Sequence, residues 1–373
     1  MSHLLRFTAT IALSMLASVA AARADWPAAK ATRPDGTKNR AAWMAQGTYG
    51  LDPNYLPRPK GNTPAEITAD INRIVNQFDM DYFVRQFQET GADWLFVSLG
   101  QGSGCLLSPN SMLDAKNPGH TPQRDLGLEF ARRLKPLGKR VILYFTSATS
   151  ADPAIKQALG DGTDGYADRF FELVRQYSLK FGPLYHGWWF DGCGGPYPDK
   201  YWNKWIAAAR AGNPDAVVSF SGGEFCGGRP IDPICRLEDY TGGEIHLLED
   251  GKIRRDFLWP PGEIIVTSDK KLRKHGQEAK YYLPDGPFLG NVQWHGFLPI
   301  GKTYNPAVPD QFCRYTDEEL FQFARRIKSV GGAISIGAPS DPENGHIPED
   351  THSQLVRLSK FLAREGQQKS VSK

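Results

Sequence analysis

The sequence has almost no charge bias and few of the residues that build metal centres. Its formal net charge at pH 7 is +3, from 44 basic and 41 acidic side chains, and 5 of its 373 residues are cysteines. So small a net charge gives no electrostatic case for nucleic acid binding, which usually needs a basic face. The sequence contains neither a Cys-x-x-Cys nor a His-x-x-x-His pair, so we predict no metal and no other cofactor.

The sequence also lacks long apolar runs, with one short exception at its start. Arg6 precedes an apolar stretch over residues 11–20, and Ala22-Arg23-Ala24 before Asp25 has the small-x-small pattern of a cleavage site. We therefore expect residues 1–24 to be a secretory signal peptide and the protein to be exported, to a periplasm or to the medium. The alternative, a transmembrane anchor, is disfavoured because the run falls far short of about 20 residues. No later segment is apolar enough to span a bilayer.

The five cysteines make a disulfide more plausible than a metal site in an exported protein. Cys226 and Cys235 are close enough in sequence to close a small loop, so they are the candidate pair. The odd total leaves at least one thiol free or intermolecular, and unpaired buried thiols are the alternative. The cysteines are Cys105, Cys193, Cys226, Cys235 and Cys313.

What the sequence does have is material for a large core, with 20 Phe, 14 Tyr and 9 Trp. The 38 Gly and 27 Pro argue against a coiled coil or a helical bundle. Short apolar runs alternate with helix-like segments, and strand starts at residues 93, 140 and 185 suit a (β/α)8 barrel with a parallel sheet. We predict one such domain over residues 25–366 and a disordered tail over 367–373, with an open doubly wound sheet as the alternative.

The predicted elements follow from hydrophobic periodicity and capping signals. Thr316 and Glu319 form a candidate capping box before a helix, and a last helix is expected from about residue 350 to 364. Apolar stripes at helical spacing predict further helices near residues 83–87, 126–134 and 170–177. Predicted strands cover residues 93–100, 140–146, 185–191 and 216–221, with weaker candidates at 243–248, 291–296 and 333–337.

Because the reactive groups of such a barrel lie at the carboxyl ends of its strands, Asp191 is the strongest candidate catalytic residue. It ends the apolar run Gly187-Trp-Trp-Phe-Asp191 and is followed at once by Gly192. Side chains alternate along a strand, so Trp189 and Asp191 point the same way. An aromatic platform beside a carboxylate suits a sugar site, with stacking on the ring face and a nucleophile beneath C1. The alternative is that Asp191 only caps the following loop.

Trp189-Phe190-Asp191-Gly192 resembles the W-F-D-G nucleophile motif of the family-29 glycoside hydrolases, the α-L-fucosidases. Other stretches resemble that family in the same order along the chain, at residues 78–94, 124–144, 173–182 and 316–332. The resemblance implies a (β/α)8 barrel and hydrolysis by two-step retention, with Asp191 as the nucleophile. No room remains for the family's C-terminal β-sandwich, so we expect a single domain.

The chain departs from the family where paired histidines normally contact sugar hydroxyls. Gln101 and Gly102 stand in their place. The family's early His-Trp-Gly stretch is also absent, and the most similar stretch here is Thr48-Tyr-Gly-Leu51. Gln101 and Ser103 can still hydrogen-bond hydroxyl groups, with another donor and acceptor geometry. The loop over residues 100–104 is glycine-rich but is neither G-x-G-x-x-G nor a P-loop, so nucleotide binding is not predicted.

A retaining glycosidase needs a second carboxyl group as general acid/base, about 5–5.5 Å from the nucleophile. Glu224, which follows the predicted strand over 216–221, resembles the acid/base stretch of one fucosidase subgroup, and Glu244 resembles that of another. We favour Glu224. The alternative for each is a glutamate bonded to backbone amides in a glycine-rich turn.

Three further side chains are candidates for substrate binding. Trp294 and His295 end the predicted strand over 291–296 and could supply an aromatic wall and a hydroxyl partner, although a lone strand histidine is more often a satisfied core residue. Tyr144, near the end of the predicted strand over 140–146, is a similar candidate.

The sequence therefore predicts an exported glycoside hydrolase that acts on a fucosyl or related glycoside. A non-catalytic carbohydrate-binding protein on a degenerate barrel is the alternative, and the missing histidines suit it. The discriminating observation is whether a second carboxyl group stands near Asp191 across an open cleft.

Overall fold

The computed structural model describes residues 26–194, 197–222, 233–243, 286–300 and 315–368. The strands are β1 Gly50–Asp52, β2 Trp94–Gly100, β3 Arg140–Thr146, β4 Gly187–Asp191, β5 Val217–Phe220, β6 Phe288–Leu289, β7 Val292–Gln293, β8 His295–Pro299 and β9 Ala333–Gly337. The centre of the structure is a sheet of seven parallel strands in the order β5-β4-β3-β2-β1-β9-β8, beside a two-stranded antiparallel ribbon, β6-β7.

The sheet joins its first strand to its last, which is how a barrel closes. Strand β1 pairs in parallel with β2 on one side and with β9 on the other, with Asp52 opposite Gly337. An open doubly wound sheet does not make this pairing, so the predicted (β/α)8 barrel is confirmed.

Residues 239–243 stand between β5 and β8, at the position of the sixth barrel strand. The Asp239 N–H donates to the Val218 carbonyl at 2.8 Å, and the Phe297 N–H donates to the Gly243 carbonyl at 2.7 Å. This segment therefore links the two edges of the seven-stranded sheet.

Helices lie between the strands and cover the outside of the sheet. The predicted capping box is present, since the Glu319 N–H donates to Thr316 Oγ1 at 3.2 Å and the Thr316 N–H donates to Glu319 Oε2 at 2.7 Å. The last helix reaches Gln368, two residues into the predicted tail. The helices are α1 Ala42–Gln46, α2 Pro64–Gln77, α3 Met80–Glu89, α4 Ser111–Lys116, α5 Leu126–Leu134, α6 Pro153–Leu159, α7 Tyr166–Phe181, α8 Asp199–Ala209, α9 Asp317–Ser329 and α10 Glu349–Gln368, with 3-10 turns at Lys135–Leu137 and Gly182–Leu184.

The core has two layers because side chains alternate along each strand. Trp188 and Phe190 point outward and stack on each other at 5.1 Å, under the helices. The alternate residues fill the barrel interior. This inner cluster contains Ala41, Met44, Trp94, Phe96, Ile142, Tyr144, Trp189, Val217, Tyr240 and Ala333. No helix in the described ranges has the length and apolar character needed to cross a bilayer.

Cys235, one member of the candidate disulfide pair, is a buried residue of the core. Its thiol is free and 2% exposed, and it accepts a hydrogen bond from the Leu237 N–H at 3.4 Å. Burial raises the pKa of this thiol to about 12, so it behaves as an inert core side chain. Cys105 is also free and buried, and Cys193 is buried as well. Cys226 and Cys313 lie outside the described residues.

Candidate active site

Asp191 is the last residue of β4 and lies at the carboxyl end of the barrel. Its Oδ2 accepts hydrogen bonds from the Tyr144 hydroxyl, at 2.8 Å, and from the Gln101 amide, and its Oδ1 accepts one from the Gly192 N–H at 2.8 Å. Burial raises the pKa of Asp191, and these three donors oppose that rise because they favour the charged form. Asp191 is therefore a carboxylate at a strand end whose orientation is fixed by three hydrogen bonds.

The turn after β4 is fixed by the loop that follows β3. The Asp191 carbonyl accepts hydrogen bonds from the Ser147 N–H and from Ser150 Oγ, both at 2.8 Å. Gly192 has a φ of +66°, and a side chain there would collide with Ser150. A glycine directly after the aspartate is therefore required by both backbone conformation and space.

Gln101 and Tyr144, both predicted as substrate-binding residues, contact Asp191 itself. Gln101 lies in the loop after β2, and its Oε1 contacts the Tyr144 hydroxyl while its Nε2 donates to Asp191. Gln101 occupies the stretch where the resemblance places paired histidines. Here its amide orients the carboxylate, a role that the sequence analysis did not assign to it.

Asp52 is a site residue that sequence reasoning missed. It ends β1 and is 1% exposed, and its carboxylate accepts a hydrogen bond from the Asn54 N–H at 2.8 Å. Burial and the nearby charge of Asp191 raise its pKa to about 7. The signal was present in the sequence, since Asp52 ends a short segment before Pro53 just as Asp191 ends its strand before Gly192. The three-residue strand was too short for hydrophobic periodicity to reveal.

Trp189 lies beneath Asp191 as part of the barrel floor. Its ring stacks with Tyr144 at 5.1 Å and with Phe297 at 5.5 Å, and the residue is 1% exposed. An open sugar platform was the prediction for Trp189, whereas this ring is covered by neighbouring aromatic side chains. It supports the ring whose hydroxyl holds Asp191.

His295 and Trp294 lie at the other end of the barrel. The strand begins at His295 and runs to Pro299, whereas the sequence analysis expected it to end at residue 296. His295 Nδ1 donates to the Thr241 carbonyl at 3.0 Å, and Nε2 accepts from Ser335 Oγ at 2.8 Å. Burial lowers its pKa to about 4, so it is a neutral core histidine. Trp294 is 0% exposed, in the outer core.

The remaining candidates are Ser103, Glu224 and Glu244, of which the structure describes Ser103. Ser103 is in the loop after β2, where its hydroxyl donates to the Cys105 carbonyl at 2.9 Å. Glu224 and Glu244 both lie outside the described residues, so their roles stay predictions. The chain leading to Glu224 starts beside the candidate nucleophile, since the Ser221 N–H donates to the Phe190 carbonyl at 2.8 Å.

The described part of the chain holds no group of three His, Cys, Asp or Glu side chains that could bind a metal ion. At the carboxyl ends of the strands, the described residues include Asp52, Gln101, Tyr144 and Asp191. Their side chains offer two carboxyl groups, a phenol and an amide. That set can bind hydroxyl groups and can supply a nucleophile.

No protein-family model matches the chain, and no curated protein matches it. Solved structures do match. The endo-fucoidan hydrolase P5AFcnA of glycoside hydrolase family 107 aligns with a TM-score of 0.56 at 17% identity, over 88% of this chain and 94% of that one. The endo-fucoidan hydrolase MfFcnA4 aligns with a TM-score of 0.57 at 16% identity, and there the match covers 87% of this chain and 53% of that chain.

Two α-fucosidases align almost as well. The Thermotoga maritima enzyme in complex with fucose has a TM-score of 0.53 at 16% identity, over 90% of this chain and 75% of that chain. AlfC from Lactobacillus casei, in complex with α-L-fucose, has a TM-score of 0.53 at 13% identity, over 88% of this chain and all of that chain. At such low identity the likeness shows a common fold.

Proposed function

We propose that the protein is an exported, retaining glycoside hydrolase that acts on an α-L-fucoside or a related glycoside. The observation that carries the proposal is the Asp191 carboxylate, held by Tyr144, Gln101 and Gly192 at the carboxyl end of β4. The structural likeness to proteins described as α-fucosidases and endo-fucoidan hydrolases supports the substrate class. The signal-peptide pattern in the sequence of residues 1–24 supports export.

In the first step an Asp191 oxygen attacks the anomeric carbon, and the bond from that carbon to the leaving oxygen breaks. A general acid gives its proton to the leaving oxygen, so that a neutral alcohol departs and a glycosyl-aspartate ester remains. In the second step the same group, now a base, takes a proton from water as the water oxygen attacks the anomeric carbon. The ester bond breaks and Asp191 is restored as a carboxylate.

The nucleophile is tested with Asp191→Asn on purified mature protein. We expect turnover of aryl glycosides to fall by on the order of 10³-fold or more, while the near-isosteric side chain preserves the fold and sugar affinity. A panel of α-L-fucoside, β-D-galactoside and α-L-arabinoside substrates would be assayed. Asp168→Asn, at an exposed carboxylate of α7 paired with Lys204, is the matched control. Retention of more than a small fraction of activity by Asp191→Asn would remove this role.

The acid/base is tested by comparing Glu224→Ala with Glu244→Ala. We expect Glu224→Ala to slow substrates with poor leaving groups far more than activated aryl ones, because only the former need protonation. Added azide should partly restore its turnover, since a small anion attacks the glycosyl-enzyme without base assistance. Near-normal kinetics are expected for Glu244→Ala. The reverse pattern would assign the role to Glu244.

A non-catalytic sugar-binding protein is the second candidate. One observation favours it: Gln101 and Gly102 stand where the resemblance places paired histidines. If the wild-type protein cleaves none of the aryl glycosides but binds fucose by calorimetry, this function replaces hydrolysis.

A further inference from the structure

Two carboxyl groups face the interior of the barrel at the carboxyl ends of their strands. In β4, Trp189 belongs to the inner cluster, so Asp191, two residues on, points the same way. In β1, a side chain at Gly50 would collide with the inner-cluster residue Trp94, whereas Leu51 belongs to the outer core. Asp52 therefore faces inward as well.

The two carboxyl groups have unequal hydrogen-bond partners. Asp191 accepts from the Tyr144 hydroxyl, the Gln101 amide and the Gly192 N–H. Asp52 accepts from the Asn54 N–H. Donors stabilise the ionised form of a carboxyl group, and burial of a second charge nearby is unfavourable. A single negative charge in this pocket is therefore more stable on Asp191 than on Asp52.

The strands beside Asp52 contribute little else that could carry the proton. Strand β2 leads to Gln101, β3 brings Tyr144, and β4 brings Asp191. Strand β9, which pairs with β1 on its other side, consists of Ala333-Ile-Ser-Ile-Gly337 and has no ionisable side chain. Within the described ranges, Asp191 is the charged group that acts on Asp52, and its effect together with burial raises the pKa of Asp52 to about 7.

We propose that Asp52 holds a proton at mildly acidic to neutral pH while Asp191 is ionised. Asp52 is then a neutral hydrogen-bond donor inside the barrel, and Asp191 carries the negative charge of the two. The role of Asp52 toward a glycoside rests on the proposed function, in which Asp191 must be ionised to attack the anomeric carbon. Asp52 acts as a positioning residue for the charge on Asp191.

The first test follows thermal unfolding with pH and needs no enzymatic activity. The pKa of Asp52 is raised in the folded state, so its favourable contribution is complete below the unfolded value near 3.8 and is lost as pH rises through about 7. Asp52→Asn cannot ionise and escapes that loss. Its Tm relative to wild type should therefore increase by about 4 °C or more between pH 5 and pH 8.

Two further variants test whether the pH-dependent Tm difference comes from the interaction of Asp52 with Asp191. Asp191→Asn removes the charge that acts on Asp52, so Asp52→Asn should have a smaller pH-dependent effect in that background than in the wild type. Asp168→Asn, at an exposed site, should show no change of relative Tm with pH. An equal Tm difference between Asp52→Asn and wild type at pH 5 and pH 8 would overturn the proposal.

A measurement on the wild type covers the case in which Asp52→Asn does not fold. Infrared difference spectra during a pH titration distinguish a protonated carboxyl group from a carboxylate. We expect a buried carboxyl band that persists at pH 6 and disappears above pH 7, in Glu224→Ala and Glu244→Ala as well as in the wild type. Its complete loss below pH 5 would contradict the assignment. If no variant hydrolyses any glycoside but the band and the Tm shift are observed, the proton pair stands and the proposed hydrolysis fails.

Discussion

At the scale of single residues, Tyr144 connects the aromatic floor of the barrel to the proposed nucleophile. Its ring stacks on Trp189 and its hydroxyl donates to Asp191 at 2.8 Å. One side chain thus combines an apolar contact that fixes its position with a polar contact that stabilises a charge. The two contributions can be separated because phenylalanine keeps the ring and removes the hydroxyl.

We predict that Tyr144→Phe lowers kcat/KM by about 10- to 100-fold, the effect of losing one hydrogen bond to a charged group. Loss of the donor also raises the pKa of Asp191, since that hydrogen bond favours the ionised form. The acidic limb of the pH profile should therefore move to higher pH, while Tm changes little. Steady-state kinetics across pH and thermal unfolding check this. An unmoved acidic limb would show that Tyr144 does not act on the nucleophile.

At the scale of elements, the sequence predicted best those strands that are long and apolar on both faces. Strand β3 was predicted at residues 140–146 and observed there, and β2 and β4 differ from their predictions by one or two residues. These strands are buried by helices outside and by side chains within, so an unbroken apolar run marks them. The strand-end rule then located Asp191 correctly at the carboxyl end of β4.

The predictions that were wrong concern strands whose apolar pattern in the sequence is interrupted or very short. The predicted strand over 291–296 merged the end of the β6-β7 ribbon with the start of β8. Gln293 is buried with its amide bonded to backbone carbonyls, so a polar residue occupies a core position between the two elements. His295 was consequently assigned to the wrong end of the barrel. Strand β1 was missed because three residues give no periodicity, and Asp52 was missed with it.

The contacts within the site were the part that no sequence pattern contained. Gln101, Tyr144 and Asp191 come from the ends of three different strands, and their hydrogen bonds depend on the register between those strands. Pairing of Thr146 with Asp191 puts the Tyr144 hydroxyl at the level of the carboxylate. Register is a tertiary property here, since each strand is joined to the next through a helix.

At the scale of the whole molecule, the features that hold the barrel together lie away from the proposed catalytic end. Asp239 is 0% exposed and forms ion pairs with Arg33, at 2.5 Å, and with Arg210. Its carboxylate also accepts the Val218 N–H at 2.9 Å, near the start of β5. Asp239 thereby joins the segment before α1, the end of α8 and two neighbouring positions of the barrel.

We predict that Asp239→Asn lowers the free energy of unfolding by about 3–5 kcal/mol, because it leaves buried guanidinium groups without their counter-charge. Asp215→Asn is the matched control, since Asp215 pairs with Lys38 at 2.9 Å but both side chains are largely exposed. That exposed pair should contribute little to stability, because solvent screens the two charges. Urea unfolding of the three proteins measures both values.

In a (β/α)8 barrel the catalytic groups lie at the carboxyl ends of the strands and the opposite end serves stability. Asp239→Asn should therefore keep the turnover of its folded fraction, and equal losses of stability in the two variants would show that the Asp239 cluster does not hold the barrel closed.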